Sequence, residues 1–210
     1  GWNYDLAIHG NTAYVAVHNN NVGQVWSFDT TAMDQYNNDP PFLTTVDVAG
    51  LTLDGDLLYM ADPQFGIHRY DILTSTLASY PLADGSRPRA VHLQGEYGFG
   101  QTYDGGHVVA VHISETSITY AGDMFVTDWR EAGETIAIGP DSSGNPLVYL
   151  PANQGLMTYT VNISGVPVTF APAFAEEPDF AMGWQTQVVG DTLYTIDMGI
   201  LRIFDVSDPT

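Results

Sequence analysis

The 210-residue chain contains no cysteine and no lysine. The first absence excludes disulfides, thiolate-bound zinc and a cysteine nucleophile together. The second leaves five arginines, Arg69, Arg87, Arg89, Arg130 and Arg202, against 25 acidic residues, for a formal net charge of -20. A surface so acidic repels nucleic-acid phosphates and the anionic face of most membranes, so neither is an expected partner. Nowhere do 18 apolar residues follow one another, and the opening GWNYDLAIHG has neither the basic flank nor the apolar run of a signal peptide. With its loops rich in Asn, Asp, Thr and Gly, the chain is expected to be the mature form of an extracellular or cell-surface protein. Catalytic signatures are missing too: there is no GxSxG, P-loop, dinucleotide fingerprint, HExxH or contiguous calcium loop.

What the chain does have is a repeat. A glycine followed by Asn, Asp or Glu precedes an aromatic residue by four or five positions, five times over. The glycines are Gly10, Gly55, Gly95, Gly144 and Gly190, and the aromatics Tyr14, Tyr59, Phe99, Tyr149 and Tyr194. A period of roughly 40 to 50 residues built from short strands is the mark of propeller blades. The expected fold is all-β: one domain over 1–210, a five-bladed β-propeller of four-stranded antiparallel blades at about 1–50, 51–86, 87–130, 131–180 and 181–210.

The last repeat supplies the template. Gly190-Asp191 makes a tight hairpin turn after a strand ending at Val189; strands follow over Thr192–Ile196 and Ile200–Val206, and Ser207-Asp208-Pro209 stops the chain. Fourth strands are expected near Phe42–Val48, Leu77–Leu82, Ile118–Val126 and in PVTFAPAF, and Gly183–Val189 opens blade five. That blade then has three strands. The chain is therefore expected to be a piece of a longer one, or to complete its fifth blade on neighbouring elements or with a strand from a neighbouring chain.

The last repeat resembles the LVIVD repeat, a bacterial and archaeal β-propeller motif. The matching residues are Val188, Val189, Gly190, Asp191, Tyr194, Gly199, Leu201, Ile203, Asp205, Val206, Ser207, Asp208 and Pro209. Blade one follows the pattern through Gly10, Asn11, Tyr14, Val15, Ala16 and Asp29, and blade two through Gly55, Asp56, Tyr59, Ala61, Asp62, Gly66 and Asp71. In blades three and four His112 and Thr160 stand where the aspartate belongs. The resemblance implies a secreted or surface-attached propeller used for binding, and brings no set of catalytic residues with it.

Asp29, Asp71 and Asp205 close the third strands, where a carboxylate accepts backbone N–H bonds from the next turn; three equivalent copies point to a need of the blade. Asp62 and Asp197 each follow the blade tyrosine by three residues, at the entrance to the loop between strands two and three. With Asp104 they are candidate Ca²⁺ ligands, since Ca²⁺ takes six to eight oxygens from several loops; the alternative is solvated turn aspartates. The six histidines show no ligand spacing, and His9 and His92 occupy related positions before a first hairpin. On the loop face the blade connections carry Arg87, Arg89, Trp129, Arg130 and Trp184, joined by Trp2. Arginine beside tryptophan suits a sugar ring, a carboxylate or a protein partner; the alternative is arginines paired with carboxylates and tryptophans packed between blades. The expectation is a non-catalytic module binding protein or carbohydrate, against a carbohydrate-active hydrolase using channel-mouth carboxylates, for which Asp5, Asp54 and Glu96 can be nominated, the last two in the hairpin region away from the loop face.

Overall fold

The repeat glycines set the architecture through their backbone. In a computed structural model, Gly10, Gly55, Gly95, Gly144 and Gly190 all take φ between 55° and 84°, and a Cβ on any of them would meet nothing within 4 Å. The requirement is conformational, because a side chain there is strained in the left-handed region whatever the room. Four of these glycines begin two-residue hairpins, closed by the pairs His9–Thr12, Asp54–Leu57, Gln94–Tyr97 and Val189–Thr192. Each of these turns then receives the same backbone bond from the end of strand three, Thr30 N–H to Asn11 O at 2.8 Å, Ile72 to Asp56 at 2.9 Å, Ile113 to Glu96 at 2.8 Å and Val206 to Asp191 at 2.8 Å.

The structure describes residues 2–19, 22–32, 47–82, 85–102, 107–125, 136–141, 143–152, 155–176, 183–197 and 200–207. Eighteen strands run through them: β1 (Trp2–His9), β2 (Thr12–Asn19) and β3 (Val22–Asp29); β4 (Gly50–Asp54), β5 (Leu57–Asp62), β6 (Gly66–Asp71) and β7 (Thr76–Pro81); β8 (His92–Gln94), β9 (Tyr97–Gln101), β10 (His107–Ile113) and β11 (Ile118–Phe125); β12 (Ala137–Pro140), β13 (Pro146–Ala152), β14 (Gly155–Asn162) and β15 (Thr169–Glu176); β16 (Gly183–Val189), β17 (Thr192–Asp197) and β18 (Ile200–Asp205). Each group is one antiparallel sheet in chain order, of three, four, four, four and three strands. These are the blades of a five-bladed β-propeller, and the last has three strands. The expected fourth strand of blade one, Phe42–Val48, lies outside the described residues except for 47 and 48, which are in no strand.

The chain divides into two compact units, Gly1–Val91 with the first two blades and His92–Thr210 with the other three. In the first unit Tyr14, Ala16 and Val25 of blade one pack with Leu51, Leu58, Met60 and Tyr70 of blade two. A carboxylate crosses the same junction: Asp5, in a bulge of β1, accepts the Leu51 N–H at 2.8 Å and the Leu6 N–H at 2.8 Å. Burial pushes its carboxyl above the usual range, and these two backbone bonds work against that shift. In the second unit Phe99, Val108 and Ala110 of blade three pack with Val148, Leu150 and Tyr159 of blade four, and Ala137, Leu147 and Tyr149 of blade four with Leu193 of blade five.

Register also shows how blades three and four manage without the strand-end aspartate. Opposite the first residue of strand two stand Asp29, Asp71, His112 and Asp205, and in blade four Thr160 pairs with Leu147. Asp29, Asp71 and Asp205 each accept the N–H two residues on, at 2.8, 2.9 and 3.0 Å. In blades three and four the work moves two residues along the chain. Ser114 Oγ accepts the Ser117 N–H at 3.0 Å, and Asn162 Oδ1 accepts the Ser164 N–H at 3.0 Å. The turn is preserved with a different side chain.

Candidate functional site

The loop from β5 to β6 in blade two holds the densest polar arrangement among the described residues. Asp62 ends β5 opposite Gly66, while His68 in β6 lies between Met60 and Ser79. Side chains two apart on a strand share a face, so Asp62 stands diagonal to His68 within side-chain reach. Asp62 Oδ2 lies 3.0 Å from His68 Nε2 and His68 Nδ1 2.7 Å from Ser79 Oγ. Oδ2 also accepts the Asp47 N–H at 3.0 Å, and Oδ1 accepts those of Gln64 at 2.7 Å and Phe65 at 3.1 Å. Gln64 Nε2 donates to Asp47 Oδ2 at 2.8 Å.

Asp62 and His68 are both buried. Burial pushes the Asp62 carboxyl up, and the bonds from His68, Gln64 and Asp47 outweigh it, so the net shift is downward. An ionised Asp62 accepts from His68 Nε2–H, and in the neutral form of the ring Nδ1 is then the acceptor of the Ser79 hydroxyl. The resulting line of hydroxyl, imidazole and carboxylate has the polarity of a proton relay. Its evident physical effect is to fix the loop.

Two groups at this loop reach solvent. The Phe65 ring stacks on His68 at 5.2 Å between centroids and 17° between planes, yet remains 44% exposed. The exposed Arg87 reaches back from the blade connection and donates through Nε to Pro63 O at 2.7 Å. The backbone of Arg89 and Ala90 passes beside Gly50, where a Cβ would come within 2.5 Å of Arg89 O. Arg87 is therefore brought to the Asp62 loop, as its place in the sequence suggested.

The calcium reading of Asp62 meets a carboxylate whose oxygens already serve four protein donors, and no group of three or more His, Asp or Glu among the described residues is arranged to hold a metal. Asp197 closes β17 and Trp2 and Trp184 lie in β1 and β16, but their side chains lie outside what is described. So do Asp104, Trp129 and Arg130 entirely. Phe65, His68 and Ser79 were not singled out from the sequence as parts of one site. The available signal was Asp-Pro-Gln-Phe-Gly leading into a strand with a histidine on the inward face. His9 and His92 are not equivalent: His9 pairs with Thr12 at its hairpin, while His92 stands opposite Phe99. His9 Nε2 lies 2.9 Å from Asp56, whereas His92 Nε2 is buried with no hydrogen-bond partner among the described residues. Burial pushes the His92 imidazole down to about 4.

No protein-family model matches the chain, and no curated protein matches it. Among solved structures it is similar to a candidate 6-phosphogluconolactonase from Bacteroides uniformis, at 14% identity and a TM-score of 0.69, covering 95% of this chain and 65% of that one. It is also similar to BamB from Moraxella catarrhalis, at 16% identity and a TM-score of 0.60, covering 95% and 56%. A third match is a chain of a nidogen/laminin complex, at 11% identity and a TM-score of 0.61, covering 99% and 77%. The chain thus spans less than two thirds of the first two. At such identities the likeness establishes the propeller fold, a fold that carries binding modules and enzymes alike.

Proposed function

We propose that this propeller is an extracellular or cell-surface binding module of LVIVD-like type, taking a protein or glycan on the loop face of its blades. The observation that carries the reading is Phe65. An aromatic ring left 44% exposed at a loop tip is held rigid by a histidine that is itself fixed at both nitrogens, and Arg87 stands beside the same loop. A rigid aromatic beside an arginine is the usual anchor of carbohydrate and protein recognition. Arg89 extends the proposed face along the same blade connection as Arg87, and Trp2, Trp129, Arg130 and Trp184 are proposed as ligand contacts from the sequence alone.

A glycan array, followed by titration of the best glycan, tests this directly. Phe65→Ala and Arg87→Ala are each expected to weaken binding at least tenfold, while Asp71→Ala leaves affinity unchanged. The rival reading, a hydrolase, draws on the Ser79–His68–Asp62 line. Turnover of the bound glycan or of a simple ester, abolished by Ser79→Ala, would replace the binding module with that enzyme.

A further inference from the structure

Two polar side chains of blade three stand on one face of its sheet, each with an atom that is buried and unmatched. His92 opens β8 opposite Phe99, and Gln101 lies two residues beyond Phe99 at the end of β9. Side chains two apart on a strand share a face, so His92 and Gln101 are diagonal neighbours across the two strands. Asp62 and His68 of blade two have the same diagonal relation, and there the side chains come within 3.0 Å of each other. Gln101 is 1% exposed. Its Oε1 and the Nε2 of the half-buried His92 are both sealed from solvent, and neither has a hydrogen-bond partner among the described residues. Thr102 Oγ1 is in the same condition, but as the next residue along the chain it faces the other side.

The wall opposite does not supply the missing bonds. The face that bears Phe99 packs within its own compact unit on Ile136, Val148 and Leu150, and β8 runs beside β12 of blade four. All three of these residues are fully buried and have no side-chain donor or acceptor. The Tyr159 hydroxyl of the same cluster is directed at Met157 Sδ, 3.8 Å away. Buried polar atoms left without a bond are costly, and protein interiors meet the need with a bound group where side chains provide none.

The two atoms specify that group. An amide oxygen only accepts, so the group must carry a proton to give it. Burial keeps the His92 imidazole neutral, with one ring nitrogen a donor and the other an acceptor. With the proton on Nε2, the group must also accept; a carboxylate then fails at Gln101 and an ammonium fails at His92, whereas an O–H serves both. We propose that blade three holds a hydroxyl site between His92 Nε2–H and Gln101 Oε1, filled by one water molecule or by the alcohol group of a small ligand. The site lies among side chains between blades three and four, and its failure would leave the loop-face reading untouched.

Urea unfolding of His92→Phe, Gln101→Leu and the double variant reads the coupling between the two side chains. Each single substitution removes one side of the bridge and strands the other, so each is expected to lower the midpoint, while the double variant lies no lower than the worse of the two. Single substitutions that are neutral or stabilising, or losses that simply add, overturn the proposal. His92→Leu and Gln101→Met replace any variant that does not fold. Oxygen-17 relaxation dispersion in plain buffer and nitrogen-15 spectra of the His92 ring with glycerol added identify the source of the hydroxyl. A long-lived water present in the parent and lost from all three variants assigns the site to water. A His92 Nε2 signal that moves with glycerol, with or without that water, shows that an alcohol enters. Neither signal, or a ring proton resting on Nδ1 in place of Nε2, overturns the proposal, since the coupling would then come from another part of the chain.

Discussion

Asp62 and Asp71 belong to the same blade and end consecutive strands, yet they do different things. Asp71 is solvent-facing and accepts the N–H groups of Leu73 and Thr74 at 2.9 and 3.0 Å; Asp29 and Asp205 repeat this in their own blades. Asp62 is buried, joins Asp47, Gln64, Phe65 and His68, and no bond set like it is seen elsewhere among the described residues. The repeated aspartate answers to the geometry of a turn that every blade must make. The unrepeated one answers to a single loop, the one that raises Phe65 into solvent. In a repeat protein, what recurs reports on the fold and what departs from recurrence reports on the site.

The largest expected effect comes from breaking the unrepeated half of that contrast. Asp62→Ala strands the His68 Nε2–H and the Asp47 and Gln64 N–H groups, while the Phe65 N–H keeps its bond to the Asp62 carbonyl at 3.2 Å, and a cost of about 3 kcal/mol is expected from urea unfolding. Loss of ligand binding should accompany it, because the histidine on which Phe65 rests loses its anchor at Nε2. Asp62→Asn keeps two acceptor pairs on Oδ1 and is expected to fall between the parent and Asp62→Ala. Equal stability of Asp62→Ala and the parent would remove the distinction between the two aspartates.

Glycines carry the contrast to the backbone. Gly55, whose counterpart recurs in every blade, has φ 55° with open space where a Cβ would go, so Gly55→Ala is expected to cost about 1 kcal/mol, the strain alone. Gly66, which opens β6 directly after the Phe65 loop, has φ 138°, and a Cβ there would stand 2.5 Å from Tyr80 O. Strain and a backbone clash combine, and Gly66→Ala is expected to cost about 3 kcal/mol in the same assay. The difference between the two variants, more than either value, is the quantity that matters.

Most of the scaffold was legible because a turn leaves a local trace. The Gly-Asn, Gly-Asp and Gly-Glu pairs located four of the five first hairpins, and β16 runs over Gly183–Val189 as expected. Blade four departs because its first hairpin, from Pro140 to Pro146, is longer and holds an Asp141 that binds the N–H groups of Ser143 and Asn145. The site was legible only in outline. Asp62 and Arg87 were singled out as candidates, but His68 and Ser79 are joined to them by register between β5, β6 and β7, and no local pattern in the chain announces cross-strand register. A histidine in a strand is as easily read as filling.

Acid sharpens the comparison between a buried polar group with partners and one without. His92 Nε2 has no partner among the described residues, and burial holds its imidazole down to about 4 against an ordinary 6.5. The unfolded chain therefore takes up a proton before the folded one does. Stability is expected to fall as pH drops from 6.5 towards 4, by about 2 kcal/mol between pH 7 and 4.5, and this group adds no further loss below 4. Asp62, held below 3.8, behaves oppositely in range: its contribution is intact above 3.8 and disappears only as pH falls through its folded value. Urea unfolding of His92→Gln and the parent at the two pH values separates these effects, since the substitution should flatten the first slope alone.

The smallest effect belongs to the repeated aspartate. Asp71→Ala removes acceptors from two N–H groups that face water, so solvent replaces most of what is lost and neither neighbour is left unsatisfied in the interior. The Thr74 N–H is the chief cause that holds the Asp71 carboxyl below its ordinary value, which places its stabilising contribution above pH 3.8 and its loss below. The melting midpoint of Asp71→Ala at pH 7 should lie closer to the parent than that of Gly55→Ala, and the gap should close in strong acid. Asp29→Ala and Asp205→Ala should behave alike, since the three carboxylates share one geometry, whereas Thr160→Ala in blade four should leave its turn intact because Asn162 caps it instead. Ligand binding should be unchanged in all four. If Asp71→Ala proved as damaging as Asp62→Ala, recurrence along the chain would no longer distinguish a scaffold residue from one that builds the site.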